Sequence, residues 1–238
     1  MSELLSSKGR RLDGRKLDEL RPIKMEVGVI DNATGSSYIE FGRNKIIAAV
    51  YGPKDVHPKH MTKTESAIIK CRYHMTPFST GTRKNPAPSR RETEISKIIR
   101  EALEPAIVLT DYPRTAILVY IEVLQSDGGS RCAGVTAASL ALADAGINMR
   151  DLTAGCAAGK INGKVALDLD EVEDMEGDAE LPMAILPNLE KVTLLQLDGN
   201  FSRKEFIAAF KLAKEGCMKV YEMQRNALKD KYFGNKEA

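Results

Sequence analysis

One stretch constrains the fold more than any other. Residues 115–124 (TAILVYIEVL) form a nearly unbroken apolar run, Ser126-Asp127-Gly128-Gly129-Ser130 interrupts it, and residues 131–145 are rich in alanine. The run predicts a buried strand. The Gly-Gly pair predicts a tight turn, and the alanine-rich stretch predicts a helix that stops at Gly146. A chain of 238 residues with 43% apolar side chains can bury the core that such a unit needs. A disordered tail, a collagen-like chain and a small disulfide-stapled module are thereby excluded.

Other segments extend the pattern. Ile23, Met25, Val27 and Val29 alternate as a strand, and residues 31–36 (DNATGS) are turn chemistry. Residues 37–41 and 45–51 predict two strands around the turn Gly42-Arg43-Asn44, and residues 67–75 a fourth. A polar, basic loop at 52–64 separates the last two. Pro77, Gly81, Pro86 and Pro88 forbid regular structure until Ser89, which with Glu92 forms a capping box. The helix behind it carries Ile95, Ile98, Ile99, Ala102, Leu103 and Ala106 as one stripe. Further strands are predicted at 153–159, 164–169, 183–186 and 191–197. A last helix is capped by Ser202 with Glu205 and runs to about Lys229. Strands and helices alternate in blocks, which predicts an α+β (mixed α/β) fold. Residues 22–238 are expected to form one domain, and residues 1–21 a polar, basic, partly ordered arm.

No apolar run approaches the roughly 20 residues of a membrane-spanning helix, and no apolar region follows the first charges as a secretory signal requires. Cys71, Cys132, Cys156 and Cys217 form no CxxC pair, so zinc and thioredoxin-type chemistry are not expected. Free buried thiols in a reducing cytoplasm are the expectation.

The near-neutral total hides an uneven distribution. Lys and Arg number 35 and Asp and Glu 33, yet residues 168–180 hold eight acids among thirteen residues and no base. The remainder carries a net charge of +10, with bases gathered at 8–16 and 83–100. A basic surface with one acidic focus suits an enzyme that draws in a polyanion, although solvated charge is the plainer alternative.

Three constellations offer chemistry. In Asp127-Gly128-Gly129-Ser130-Arg131 the glycines let the backbone approach an anion and the first helical N–H groups face it. Ser130 adds a hydroxyl and Arg131 a charge, giving a cradle for one phosphate. The spacing fits neither a Walker A loop nor a full GxGxxG, and a simple turn is the alternative. Arg90 and Arg91 stand in the first turn of a helix, where the macrodipole disfavours each by ~0.3–1 kcal/mol. A broken local rule points to function, and the arginine fork matches phosphate oxygens; exposure to solvent beside Glu92 and Glu94 is the alternative. The acidic run could hold Mg²⁺ or Mn²⁺, or raise one carboxyl until it donates a proton. Val165, Leu167 and Leu169 share one side of the predicted strand, which would turn Asp168 and Asp170 to the other. A solvated acidic loop is the alternative. Tyr73 and Phe78 are the aromatic residues near the bases, as stacking candidates for RNA. His57 and His60 lack a third ligand, and no GxSxG or HExxH occurs.

Six motifs occur in order: RLDGR at 11–15, RYHMTPFS at 72–79, RKNPAPSRRE at 83–92, SDGGSR at 126–131, LADAGI at 142–147 and DLDEVED at 168–174. Together, over nearly the whole chain, they resemble the RNase PH family of phosphorolytic 3′→5′ exoribonucleases. The form NPAPSRRE is similar to the branch of catalytic RNase-PH-like subunits of the archaeal exosome.

The resemblance implies a ribosomal protein S5 domain 2-like fold. It implies a hexameric ring in which three copies alternate with three of an inactive RNase-PH-like paralogue, under RNA-binding cap subunits. Inorganic phosphate, as co-substrate, would attack the 3′-terminal phosphodiester of single-stranded RNA and release nucleoside diphosphates, and the reverse tailing reaction would follow. Carried over by motif, Gly129, Ser130 and Arg131 would hold phosphate, and Arg90 and Arg91 would grip RNA. The loop at Lys59 and His60 would line the narrow part of the channel. Asp174 would be the main catalytic carboxylate, binding Mg²⁺ or Mn²⁺ or protonating the leaving 3′-oxygen. The family usually has Asp six residues further on; here that position is Glu180, with Asp178 the nearest aspartate. The second carboxylate, a metal ligand beside Asp174, is therefore Glu180 or Asp178. A homohexameric tRNA-trimming RNase PH and a non-catalytic RNA-binding ring subunit remain the alternatives. The latter would have lost the acid or the arginines, and here Asp174, Arg131, Arg90 and Arg91 are all present.

Overall fold

The computed structural model describes Leu4, Leu5 and residues 10–234. Strands β1 (Ile23–Val27), β2 (Gly35–Phe41), β3 (Asn44–Asp55), β4 (Ile68–Met75) and β5 (Thr115–Gln125) form a first sheet in the order β1-β2-β3-β5-β4. Only the β4–β5 pair is parallel, and helix α1 (Arg90–Leu103) lies in the crossover between them. Helix α2 (Ser130–Asp144) leaves the end of β5. A second, antiparallel sheet contains β6 (Ala154–Ile161), β7 (Lys164–Leu167), β8 (Ala179–Leu186), β9 (Lys191–Leu195) and β10 (Asp198–Gly199). A short helix, α3 (Glu171–Glu176), joins β7 to β8, and α4 (Arg203–Phe233) closes the chain. The mixed α/β class expected from the sequence is the one observed.

The core explains the composition. Ile117, Val119, Ile121 and Val123 of β5 are fully buried, whereas Leu118, Tyr120 and Glu122 on the opposite face are half-buried. Helix α2 packs against β2, β3 and β5 of the first sheet and β6 and β8 of the second, and every residue from Cys132 to Leu142 is buried. A helix enclosed on all sides must be apolar all round, hence its alanines. Cys132, Cys156 and Cys217 are buried free thiols, and burial pushes the Cys132 thiol up to about 12.

Three sequence expectations need correction here. The acidic run is not a loop: Asp170 and Glu173 form a complete capping box that opens α3, and Gly177 ends it. Strand β7 stops at Leu167, so Asp168 does not face outward from a strand. It sits at φ 54° and is buried, its carboxylate held by Arg21. The basic stretch before β1, over residues 10–21, lies against the second half of the chain. Arg11 is buried, with Nε donating to Glu173 at 2.7 Å and two further bonds to the Leu167 and Asp168 carbonyls at 2.5 and 2.8 Å. Leu4 packs with Ile161, Ala166 and Leu169. Paired acids in the second half therefore order bases that would otherwise be solvated. Other basic residues of the expected arm, such as Lys8, lie outside the described residues.

Candidate active site

The β5–α2 turn, the α1 N-terminus, α3 and the start of β8 converge on one cleft of about 540 Å³. Its floor is the N-terminus of α2. Gly128 and Gly129 both adopt left-handed backbone, at φ 68° and 65°. Gly128 also lies against α3, where a Cβ would stand 2.6 Å from the Asp170 carbonyl carbon. Glycine is thus required both for the turn and for the approach of α3. The other three helices each begin with a capping box, but no side chain caps α2, whose N-cap is Gly129. Its first N–H groups remain available to an anion in the cleft.

Gly129, Ser130 and Arg131 all line this cleft. The Arg131 Nη1 donates to Gln196 Oε1 at 2.5 Å, and its buried Nε has no hydrogen-bond partner among the described residues. Arg91 lines the cleft, whereas Arg90, one residue earlier on α1, is exposed and does not. Lys84 contributes a further cation from the 77–88 segment, with Thr80 and Thr82 beside it. Nothing in the sequence reading singled out Lys84, although it lies within the expected basic cluster.

Asp174 and Glu180 face the same cleft within hydrogen-bonding reach of each other. Burial, with the Asp174 charge next, pushes the Glu180 carboxyl up to about 7 against the pull of Arg131. Burial also raises Asp174, opposed by Arg91 and Arg131. The pair therefore keeps one proton near neutral pH. Asp178 is exposed, and its Oδ2 accepts the Gly163 N–H at 3.3 Å, away from the cleft. Asp178 precedes β8 and turns toward the Gly163 N–H, whereas Glu180 lies within the strand.

Tyr73 corrects another expectation. Its ring is 2% exposed, in the core against Gly134 and Ile99, so it cannot stack on a base. Its hydroxyl donates to Ser130 Oγ at 2.9 Å, which leaves the Ser130 proton free for the cleft. Burial raises the Tyr73 hydroxyl, so it stays a donor. Phe78 is exposed. Lys59 and His60 stand in an exposed 3₁₀ turn between β3 and β4 and do not line the cleft.

A cleft that pairs an anion cradle and three cations with a protonated carboxyl pair suits attack on a phosphodiester. Residues 19–148 match the model of the 3′ exoribonuclease family, domain 1, and residues 151–216 that of domain 2. The chain belongs to the RNase PH family. Phosphate-dependent 3′→5′ exoribonucleolysis, the activity of that family, is the activity of this chain. It is 59% identical to the exosome complex component Rrp41 of Nitrosopumilus maritimus, over 98% of this chain and 96% of that protein. It is 61% identical to Rrp41 of Pyrococcus furiosus, over 97% of this chain and 92% of that protein. The crystal structure of rice (Oryza sativa) Rrp46 superposes with a TM-score of 0.80 at 26% identity, covering 92% of this chain and all of that one. No helix among the described residues is long and apolar enough to cross a membrane.

Proposed function

We propose that this chain is the catalytic subunit of an exosome ring, and that the cleft between α2 and α3 is where phosphate cuts RNA. The observation that carries this reading is one meeting of parts. An uncapped helix N-terminus with Arg131 faces a carboxyl pair that holds a proton, and Arg91 stands beside both. A phosphate nucleophile and a phosphodiester repel each other, so a site for both must neutralise both before chemistry can begin.

In this mechanism inorganic phosphate lies on the first N–H groups of α2, with Ser130 Oγ and Arg131 as further donors. Arg91 and Lys84 hold the phosphates of the last RNA link. A phosphate oxygen forms a bond to the terminal phosphorus, and the bond from that phosphorus to the preceding 3′-oxygen breaks. The nucleoside diphosphate leaves, and the Asp174–Glu180 pair supplies the proton to the freed 3′-oxygen. Positioning provides much of the remaining rate enhancement. A pair of carboxylates beside phosphate oxygens is also a donor set that suits Mg²⁺ or Mn²⁺. Asp174 and Glu180 would hold such an ion, which would supply charge neutralisation at the phosphate oxygens.

Asp178 has no part in this site. The cleft takes α2 from one family segment and α3 and β8 from the other, which supports a single working domain. The ring partner is an inactive RNase-PH-like paralogue in a 3+3 hexamer, with RNA-binding caps above and Lys59 and His60 along the RNA path. Free buried thiols support a cytoplasmic setting.

Labelled single-stranded RNA incubated with and without phosphate tests the reading, with the chain alone and with its paralogue. Diphosphates are expected, only when phosphate is present, and extension of RNA is expected when diphosphates are in excess. Monophosphates released without phosphate would overturn it. The two arginines are separable as well. Arg91→Ala is expected to reduce the slope of log K against log salt for RNA binding by ~0.7, as one lost contact to a single strand does. Arg90→Ala, from outside the cleft, is expected to change it less. Filter binding across a salt series reads both, and an unchanged slope for Arg91→Ala removes that residue from the RNA contact.

A further inference from the structure

We propose that Arg21 is a positioning residue for catalysis. Its single guanidinium ties the turn that carries the phosphate cradle to the strand end that launches the carboxylate helix, and so fixes their separation. The inference rests on the phosphorolytic reading above and adds to it a residue that touches neither substrate.

Arg21 is 5% exposed and precedes β1. On one side it grips Asp168, with Nε to Oδ2 at 3.0 Å and Nη2 to Oδ1 at 2.7 Å. Its backbone N–H adds a third bond to the same carboxylate, at 2.8 Å. On the other side Nη1 donates to the Asp127 carbonyl, and Nη2 reaches the Gly128 carbonyl at 3.3 Å. Asp127 and Gly128 open the turn into α2, and Asp168 stands two residues before the N-cap of α3. The two ends are remote in sequence, and one side chain hydrogen-bonds both.

The surroundings are shaped for this side chain. A Cβ on Gly42 would lie 2.7 Å from the Arg21 Cδ, and one on Gly129 would lie 3.3 Å from Nη2. Asp168 holds the left-handed backbone that a non-glycine residue keeps only when its surroundings over-determine it. Other groups hold one end only. Arg43 and Asn44 bond the Asp127 turn but do not reach Asp168. Arg15 donates to the Asp168 carbonyl at 3.0 Å but does not reach the turn. Gly128 also meets Asp170 directly, backbone against backbone, and Arg21 adds the side chain that hydrogen-bonds both ends.

Stability is a weak reason for such a device, because a buried ion pair gains little over well-packed apolar groups. Geometry is a better one. Arginine offers five donors in a rigid fork, and a lysine ammonium in its place keeps the charge but cannot serve both ends. A small misplacement of phosphate relative to Asp174 and Glu180 is costly, since ~1 Å can lose about 100-fold in rate.

The test compares Arg21→Lys, Asp168→Asn and the double variant with the unsubstituted protein in the same ring assembly. Phosphate KM, kcat, RNA affinity and thermal melting are measured. For Arg21→Lys, kcat/KM for phosphate is expected to fall roughly 10–100-fold with a raised phosphate KM, while RNA affinity stays within about twofold. Asp168→Asn is expected to raise phosphate KM in the same direction, and the double variant to lose less than the product of the two single losses. A merely structural role would lower melting and scale the activity with the folded fraction, leaving phosphate KM unmoved. If Arg21→Lys does not fold, Asp168→Asn alone decides by the same split between phosphate KM and RNA affinity. Unmoved phosphate KM in folded variants, or independent effects in the double variant, would overturn the bridge while phosphorolysis stands. A wild-type protein that needs no phosphate would instead overturn the phosphorolytic reading, and this inference with it.

Discussion

Asp174→Asn is expected to lower kcat for phosphorolysis by ~10²–10⁴-fold while single-stranded RNA binds within about twofold of its usual affinity. The substitution keeps the shape of the side chain and removes its ability to hold a proton or a cation. Asp174 stands in the cleft with Arg91 and Arg131 acting on it from nearby, and burial raises its carboxyl. RNA affinity should survive because the contacts proposed for the RNA backbone come from the arginines, not from a carboxylate that repels phosphate. Single-turnover degradation of labelled RNA at saturating phosphate, beside a binding titration, checks both parts. Turnover within a few-fold of wild type would remove Asp174 from the chemistry.

What the sequence made legible follows from how local each cause is. The capping boxes at Ser89 and Ser202 needed only residues three apart, and both helices start where those residues place them. The same signature exists at Asp170 and Glu173, but Val172 and Met175, both exposed, give no apolar stripe behind it, so the sequence pattern does not reveal α3. Tyr73 was legible too: Ile69, Tyr73 and Met75 alternate toward the core, a period that outweighs the nearby bases. Asp168 was not legible. Its place is set by Arg21, 147 residues earlier in the chain, and no local pattern records such a pairing. The cleft itself was half legible. Gly128 and Gly129 announced a turn at a helix start, yet the nearness of Asp174 to that turn depends on α3 packing against Gly128.

The choice between Glu180 and Asp178 can be decided by pH as well as by rate. Glu180 is raised from the usual carboxylate range to about 7, first by burial and then by the Asp174 charge, whereas Asp178 is exposed and turned toward Gly163. Glu180→Gln is expected to cut kcat by ~10²–10⁴-fold, and Asp178→Asn by less than about twofold. If the pair gives its proton to the 3′-oxygen, wild-type kcat falls as pH rises above about 7, and Asp178→Asn keeps that limb. Glu180→Gln has no second carboxyl to titrate, so its residual rate should lose the limb. Stability moves in the same sense with pH. A carboxyl raised in the folded state favours folding while it is protonated, and that advantage is lost as pH rises from the unfolded value through about 7. Above pH 7 the wild-type protein therefore carries a buried charge that Glu180→Gln lacks. The variant should be more stable there by roughly 1–2 kcal/mol, after allowing for partial exposure, and the difference should vanish near pH 4. Melting curves at the two pH values measure it. Equal melting at both, together with a heavy loss of rate in Asp178→Asn, would transfer the role to Asp178.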